Sequence, residues 1–242
     1  MRLRTSQNKM NNKEAWNKEY KDSQLLSKGE EPQADVLRFI KWLRKETTFD
    51  IENKTVLDLG CGTGRNLLYF ADQYNCSGYG YDFSAEAIRI ANDSKENFDN
   101  PNVVFEERSI GELLSLEDNS VDIVLDVTSS NSLTPDERNV YLKEVERVLT
   151  PGGYLFVRTL TRDGDRNAQN LLSMFPGPHY DTYTHPDLGI TERVFREVDF
   201  RELYDMYFDI QFLKKQTGYQ RRGNQSYKRR YLIAYMQKHS TE

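Results

Sequence analysis

The chain has 242 residues, 37% hydrophobic and 29% charged, the balance of one α/β-sized globular domain rather than of a membrane or disordered protein. Its 33 basic and 38 acidic side chains leave a net charge of −5, which argues against a general nucleic-acid coat. Two cysteines, Cys61 and Cys76, are too few for a disulfide framework and lack metal-ligand spacing. With no apolar leader core and no run of the ~20 apolar residues a membrane span needs, a reducing, cytoplasmic setting is expected.

Met1 to Asn12 is polar. Glu14 to Leu26 then predicts a helix with Trp16 and Tyr20 four apart on one face. A second helix begins near Pro32, a favourable first-turn residue, and spaces Val36, Leu37, Ile40 and Leu43 helically. Residues 1–50 thus read as an N-terminal helical cap, and 51–242 as the main body of a single structural domain. From Thr55 strand and helix alternate: a strand over Thr55–Leu59, a helix over Arg65–Tyr74, a strand over Ser77–Tyr81, and a helix over Ala85–Asn97 capped by Ser84. Strands over Asn102–Phe105 and Val121–Val127 follow. Thr134-Pro-Asp-Glu137 opens a helix with a capping box and a proline in its first turn, and Pro151-Gly-Gly153 stops it before a fifth strand, Tyr154–Thr159.

After that strand the alternation breaks. Residues 160–198 form an irregular stretch holding Pro176-Gly-Pro178 and Pro186, the profile of a substrate lid. Asp199 to Phe208 predicts a helix capped through Asp199 and Glu202. Strands over Ile210–Lys215 and Tyr227–Met236, joined by a glycine-bearing connection, predict a terminal antiparallel hairpin. The fold class is therefore α/β: a Rossmann-like, seven-stranded, mostly parallel sheet with helices on both faces and one antiparallel strand.

The chemistry concentrates at Val56-Leu-Asp-Leu-Gly-Cys-Gly-Thr-Gly-Arg-Asn66, where a buried strand runs through three glycines into a helix. Glycines there admit a ligand close to the backbone, and the helix start offers unpaired N–H groups. Asp58 precedes the loop. A second acid, Asp82, ends the next strand, where a carboxylate suits the two hydroxyls of a ribose. A nicotinamide-binding loop spaces its glycines G-x-G-x-x-G; Gly60, Gly62 and Gly64 do not.

The DLGCGTG loop, the acid after the second strand and the helix–Pro-Gly-Gly–strand unit VERVLTPGGYLFV resemble the class I S-adenosylmethionine-dependent methyltransferases. The likeness is to their small-molecule branch, the ubiquinone-biosynthesis-like and tellurite-resistance-like enzymes, and runs from Thr55 to about Leu160. It implies that the Gly60-Cys61-Gly62 loop and Gly64 pack against the methionine portion of S-adenosyl-L-methionine, with Asp58 near its amino group. It also implies that Asp82 binds the ribose hydroxyls and that Phe83 lies by the adenine. Arg108-Ser-Ile-Gly111 stands where the family often has Gly-Asp-Ala against the adenine amine; the acid is missing, and Ser109 or Ile110 fills its place. Asp126, ending the fourth strand, would face the sulfonium and the acceptor or merely cap the strand. Trp16 and Tyr20 are either core residues or, as the resemblance implies, part of a helix closing over the cofactor.

The sulfonium methyl is already activated, so the protein has chiefly to align a nucleophile and exclude water, with a base needed only if the acceptor loses a proton during attack. His179, Tyr180, Tyr183 and His185 fall in the irregular segment, where such folds vary their substrate contacts; His179 or His185 is the candidate base, and their spacing makes a poor metal site. No cysteine follows Cys76 to act as a catalytic thiol, and the fourth strand ends in Asp126-Val-Thr-Ser129 rather than an Asp/Asn-Pro-Pro-aromatic run. Both weaken a nucleic-acid-base acceptor. Between Ile210 and Thr241 there is no acid, while Lys214, Lys215, Arg221, Arg222, Lys228, Arg229, Arg230 and Lys238 are basic: a solvated hairpin, or a rim for an anionic acceptor or RNA. The expected function is methyl transfer to oxygen or nitrogen of a small molecule. The alternatives are an RNA or protein methyltransferase and a non-catalytic cofactor-binding module.

Overall fold

A computed structural model describes residues 12–22, 31–99, 102–222 and 225–239. The polar start, the end of the first predicted helix toward Leu26, the predicted glycine-bearing connection at Gly223 and the side chains of Arg221 and Arg222 lie outside the described residues.

Two helices come first, α1 (Asn12–Lys21) and α2 (Ala34–Glu46). The alternating region gives β1 (Thr55–Leu59), α3 (Arg65–Tyr74), β2 (Ser77–Asp82), α4 (Ala85–Lys95), β3 (Val103–Glu107) and β4 (Val121–Val127). A short 3-10 turn (Ser130–Ser132) leads to α5 (Pro135–Val148) and β5 (Leu149–Leu160). The caps are those the sequence predicts. Ser84 Oγ accepts from Ala87 N at 3.2 Å, and Thr134 and Glu137 close a reciprocal capping box.

The strands form one seven-stranded sheet in the order β3-β2-β1-β4-β5-β9-β8, where β8 is Phe208–Arg222 and β9 is Gln225–Lys238. Only β9 runs against its neighbours, so the sheet has one antiparallel strand, as predicted. The order reverses between β1 and β4. At such a switch point the connections leave on opposite faces, and a crevice opens beyond the strand ends. Both faces are covered. Val36, Phe39, Leu43, Leu67 and Phe70 pack against Ile123 and Phe156 on one side; Tyr141, Leu142, Val145, Phe200 and Tyr204 pack against Leu57, Val124 and Leu155 on the other. The central strands β1 and β4 are mostly apolar and buried for this reason. Among the described residues no helix is long and apolar enough to cross a membrane.

Three expectations need correction. The stretch after β5 is not irregular: it holds α6 (Arg166–Met174) and a small antiparallel hairpin, β6 (Thr182–Thr184) and β7 (Thr191–Arg193). The next helix, α7, spans Glu197–Tyr204. Its N-cap is Arg196 without a side-chain cap, and Asp199 sits in the first turn, bonded to Arg196 at 2.5 and 2.8 Å. First-turn acids complement the helix dipole and so mimic a cap in sequence. The terminal hairpin is also longer than its apolar core suggests, because polar pairs such as Thr217 with Arg230 continue the ladder.

Candidate active site

The crevice at the switch point is a cavity of about 1210 Å³. Its floor is the glycine turn after β1. Gly60 and Gly62 have φ of +72° and +55°, and an added Cβ would fall 2.2 Å from Ser129 Cβ at the first and 2.8 Å from the Tyr20 hydroxyl at the second. The turn is pinned by Gly60 N and Cys61 N donating to the Tyr81 carbonyl at 2.7 and 3.0 Å. It delivers the chain into α3, whose first-turn residues Arg65 and Asn66 line the cavity.

Asp82 stands at the rim. Its Oδ2 accepts from Gly62 N at 3.1 Å and its Oδ1 from Ser84 N at 2.9 Å, so each oxygen keeps acceptor capacity toward the cavity. Burial pushes its carboxyl up to about 6 even though those two N–H groups and Tyr20 favour the ionised form. Asp58 lies behind the turn, 1% exposed and outside the lining. Neither of its oxygens has a hydrogen-bond donor among the described residues. Burial, then the charges of Asp82 and Asp126, raise it to about 7, with Arg65 and Asn66 opposing. Two buried acids with unspent acceptor capacity beside a glycine cradle fit a cationic, hydroxylated ligand.

Of the residues singled out in sequence, Trp16, Tyr20, Gly60, Cys61, Gly62, Asp82, Phe83, Ser109, Ile110 and His179 line this one cavity. Trp16 and Tyr20, with ring centroids 6.4 Å apart, form its roof from α1, and Trp16 Nε1 donates to Ser132 Oγ at 3.4 Å. Ser109 and Ile110 line it together. Gly64 and Asp58 are among the described residues that support it without lining it. Asp126 is also beneath the surface, fully buried. Its Oδ1 accepts from Ser129 N, Ser129 Oγ and Ser130 N at 3.1, 2.5 and 3.2 Å, and its Oδ2 from the Tyr141 hydroxyl at 2.8 Å. It therefore shapes the loop after β4, where Thr128 holds φ +61°, rather than facing a ligand. Tyr180 is exposed, Tyr183 is buried against Glu192 and Arg229, and His185 is outside the lining.

Sequence reasoning passed over Thr128, Ser129, Asn131, Ser132, Glu137 and Thr191, all on the cavity wall. The first four follow a strand end at the switch point, a place that could have flagged them. Thr191 carries no local signal; it arrives through β7.

A family profile described as a methyltransferase domain matches residues 50–179, and the chain belongs to that family. S-adenosylmethionine is its cofactor, and the glycine cradle, the Asp82 rim and the orphaned Asp58 carboxylate are suited to it. The chain is similar to the arsenite methyltransferase of Aquipseudomonas alcaligenes, 38% identical over 116 residues, which are 45% of this chain and 33% of that protein. It is also similar to phthiotriol/phenolphthiotriol dimycocerosates methyltransferase 1 of Mycobacterium ulcerans, 32% identical over 136 residues, 56% of this chain and 47% of that one. The matches thus span a third to a half of these curated relatives. The fold is shared with a SAM-dependent methyltransferase of Methanosarcina mazei at a TM-score of 0.68 and 24% identity, over 78% of this chain and 94% of that one.

Proposed function

We propose that this chain transfers the methyl group of S-adenosylmethionine to an oxygen or nitrogen atom of a small-molecule acceptor. One observation carries the reading: the space beside Asp82 and the glycine turn continues without a break past Ser129 to a wall of Thr128, Asn131, Thr191 and His179. Cofactor and acceptor would share one chamber under Trp16 and Tyr20, which excludes water and brings a nucleophile into line. The cofactor supplies an electrophilic methyl whose departure leaves a neutral thioether, so the protein has mainly to orient. Asp82 holds the ribose hydroxyls, with Phe83, Ser109 and Ile110 beside the base. Asp58 offers a counter-charge behind the turn. His179 receives the acceptor's proton where one is lost, and His185 is a weaker candidate because it does not line the cavity.

An uncharged acceptor suits this wall better than an anionic one. The lining cations, Lys21, Arg65 and Arg89, lie on α1, α3 and α4 at the cofactor end. Part of the basic hairpin is engaged within the fold: Arg229 pairs with Asp165 at 3.2 Å, Lys215 with Glu197 at 3.1 Å, and Lys238 Nζ donates to Asn119 and to the Leu149 carbonyl. That arrangement weighs against RNA. We take residues 51–242 as the transferase body, 1–50 as its cap and 160–198 as the acceptor wall. Cys61 and Cys76, both buried thiols, agree with a cytoplasmic setting. S-adenosylhomocysteine release from a panel of neutral metabolites, run beside total RNA, tests the reading. Turnover on metabolites is expected, reduced at least about tenfold by His179→Ala if that residue is the base. Release on RNA alone, or firm cofactor binding with no turnover on any acceptor, would overturn it.

A further inference from the structure

Of the loop after β3, Ser109 and Ile110 line the cavity and none of its carboxylates does, yet a purine amine bound there would need an acceptor. The following inference rests on the cofactor reading above. With a ribose at Asp82, its base falls in the adjoining corner, whose chain contacts are continuous. Arg108 N donates to the Asp82 carbonyl at 2.9 Å, Gly111 N donates to Ser109 Oγ at 3.2 Å, and Gly111 abuts α5. A Cβ on Gly111 would lie 2.6 Å from Glu137 Cβ and 2.9 Å from its Cγ. The φ of Gly111 is outside the left-handed region, so the glycine serves to make room, and Glu137 fills that room.

Phe83, Ile110 and Leu133 give the corner apolar surface for the flat faces of a base. Glu137 lines the same cavity. Its Oε2 accepts from Thr134 N and Thr134 Oγ1, both at 2.8 Å, which fixes the direction of the carboxylate. No donor among the described residues is bonded to its Oε1. An ionised carboxylate only accepts hydrogen bonds; an amine at purine C6 donates, and an oxo group there accepts. We propose that Glu137, reaching in from α5, is the acceptor for the exocyclic amine of the adenine and sets the specificity for that base, with the Thr134 capping box holding it in place.

The test is calorimetric binding of S-adenosylhomocysteine and of its 6-oxo analogue, S-inosylhomocysteine. The native chain is expected to favour the amine by about 10–100-fold. Glu137→Gln, whose amide can turn to present either a donor or an acceptor, is expected to bring the two affinities within about threefold. Thr134→Ala removes the hydroxyl donor but leaves the backbone N–H of that residue on Glu137 Oε2, so it should lower Tm and retain most of the preference. An unchanged ratio in Glu137→Gln would overturn the proposal. So would an equal loss in Thr134→Ala, because that marks a helix-start effect. If the native chain bound neither nucleoside the cofactor reading would fall as well, a result distinct from an unchanged ratio.

Discussion

Asp58 and Asp82 are buried at the cofactor end of the cavity, at about 7 and about 6. Both lie above the unfolded carboxylate value, so from about pH 4 to pH 7 the native state binds more protons than the unfolded one. The sign follows: these two groups stabilise the ligand-free fold below that window, and the contribution is lost as pH rises through it. A sulfonium and an ammonium favour the ionised carboxylates instead. Affinity for S-adenosylmethionine is therefore expected to rise at least about tenfold from pH 5.5 to 7.5. Protons should be released on binding, seen as calorimetric heats that vary with the buffer; a flat profile with buffer-independent heats would contradict it. Gly60→Ala tests the cradle itself. A left-handed φ and a Cβ 2.2 Å from Ser129 are expected to cost about 2–4 kcal/mol in urea denaturation and to abolish cofactor binding.

The hairpin β6–β7 is secured to the sheet by a buried chain of polar groups. Asp165 caps α6 by accepting from Ala168 N at 2.8 Å, and its other oxygen takes Arg229 Nε at 3.2 Å and Arg230 N at 2.7 Å. Arg229 continues to the Tyr183 hydroxyl, which donates to Glu192 across the hairpin at 2.7 Å. Asp165→Ala removes the carboxylate beside a buried guanidinium and uncaps a helix start together, and about 3–5 kcal/mol of stability should be lost in urea denaturation; Asp165→Asn, which keeps the cap, should lose less. Equal stability of Asp165→Ala and the native chain would mean that water replaces the carboxylate. These partners explain why the segment was illegible in sequence. Arg229 is 64 residues from Asp165, and no local pattern joins them. By contrast the glycine turn, the Ser84 cap and the Thr134–Glu137 box rest on residues within a few positions of one another, and all were readable. Asp126 falls between: its place at a strand end and its neighbour Ser129 were legible, while Tyr141, which takes its other oxygen, is brought there only by the packing of α5.

At the scale of the molecule, the strand order puts the crevice between β1 and β4; the loops at the strand ends and the β6–β7 hairpin wall it, and its roof is α1. It meets the body mainly through polar joints: Asn12 Nδ2 donates to the Ser132 and Thr191 carbonyls at 3.0 and 3.2 Å, Ser84 Oγ donates to Asn17 Oδ1 at 2.8 Å, and Lys13 pairs with Glu107 at 2.6 Å. Only Ala15 and Glu19 of this helix are fully buried, whereas α2 buries Val36, Phe39, Ile40 and Leu43 against the sheet. The sheet core should thus survive without α1, while the cavity loses Trp16 and Tyr20 from its roof. Removal of residues 1–22 is expected to lower Tm by less than about 5 °C, because Ala15 is the one fully buried apolar residue among those described in α1. The same truncation should weaken S-adenosylhomocysteine binding at least about tenfold, and Trp16→Ala with Tyr20→Ala in the full chain should reproduce most of that loss. Thermal melts with and without ligand read both quantities, since the ligand-induced rise in Tm scales with the logarithm of ligand concentration over Kd. A truncated chain that melts far lower would make α1 a part of the core; one that binds as tightly as the full chain would leave the aromatic pair with no role over the cofactor.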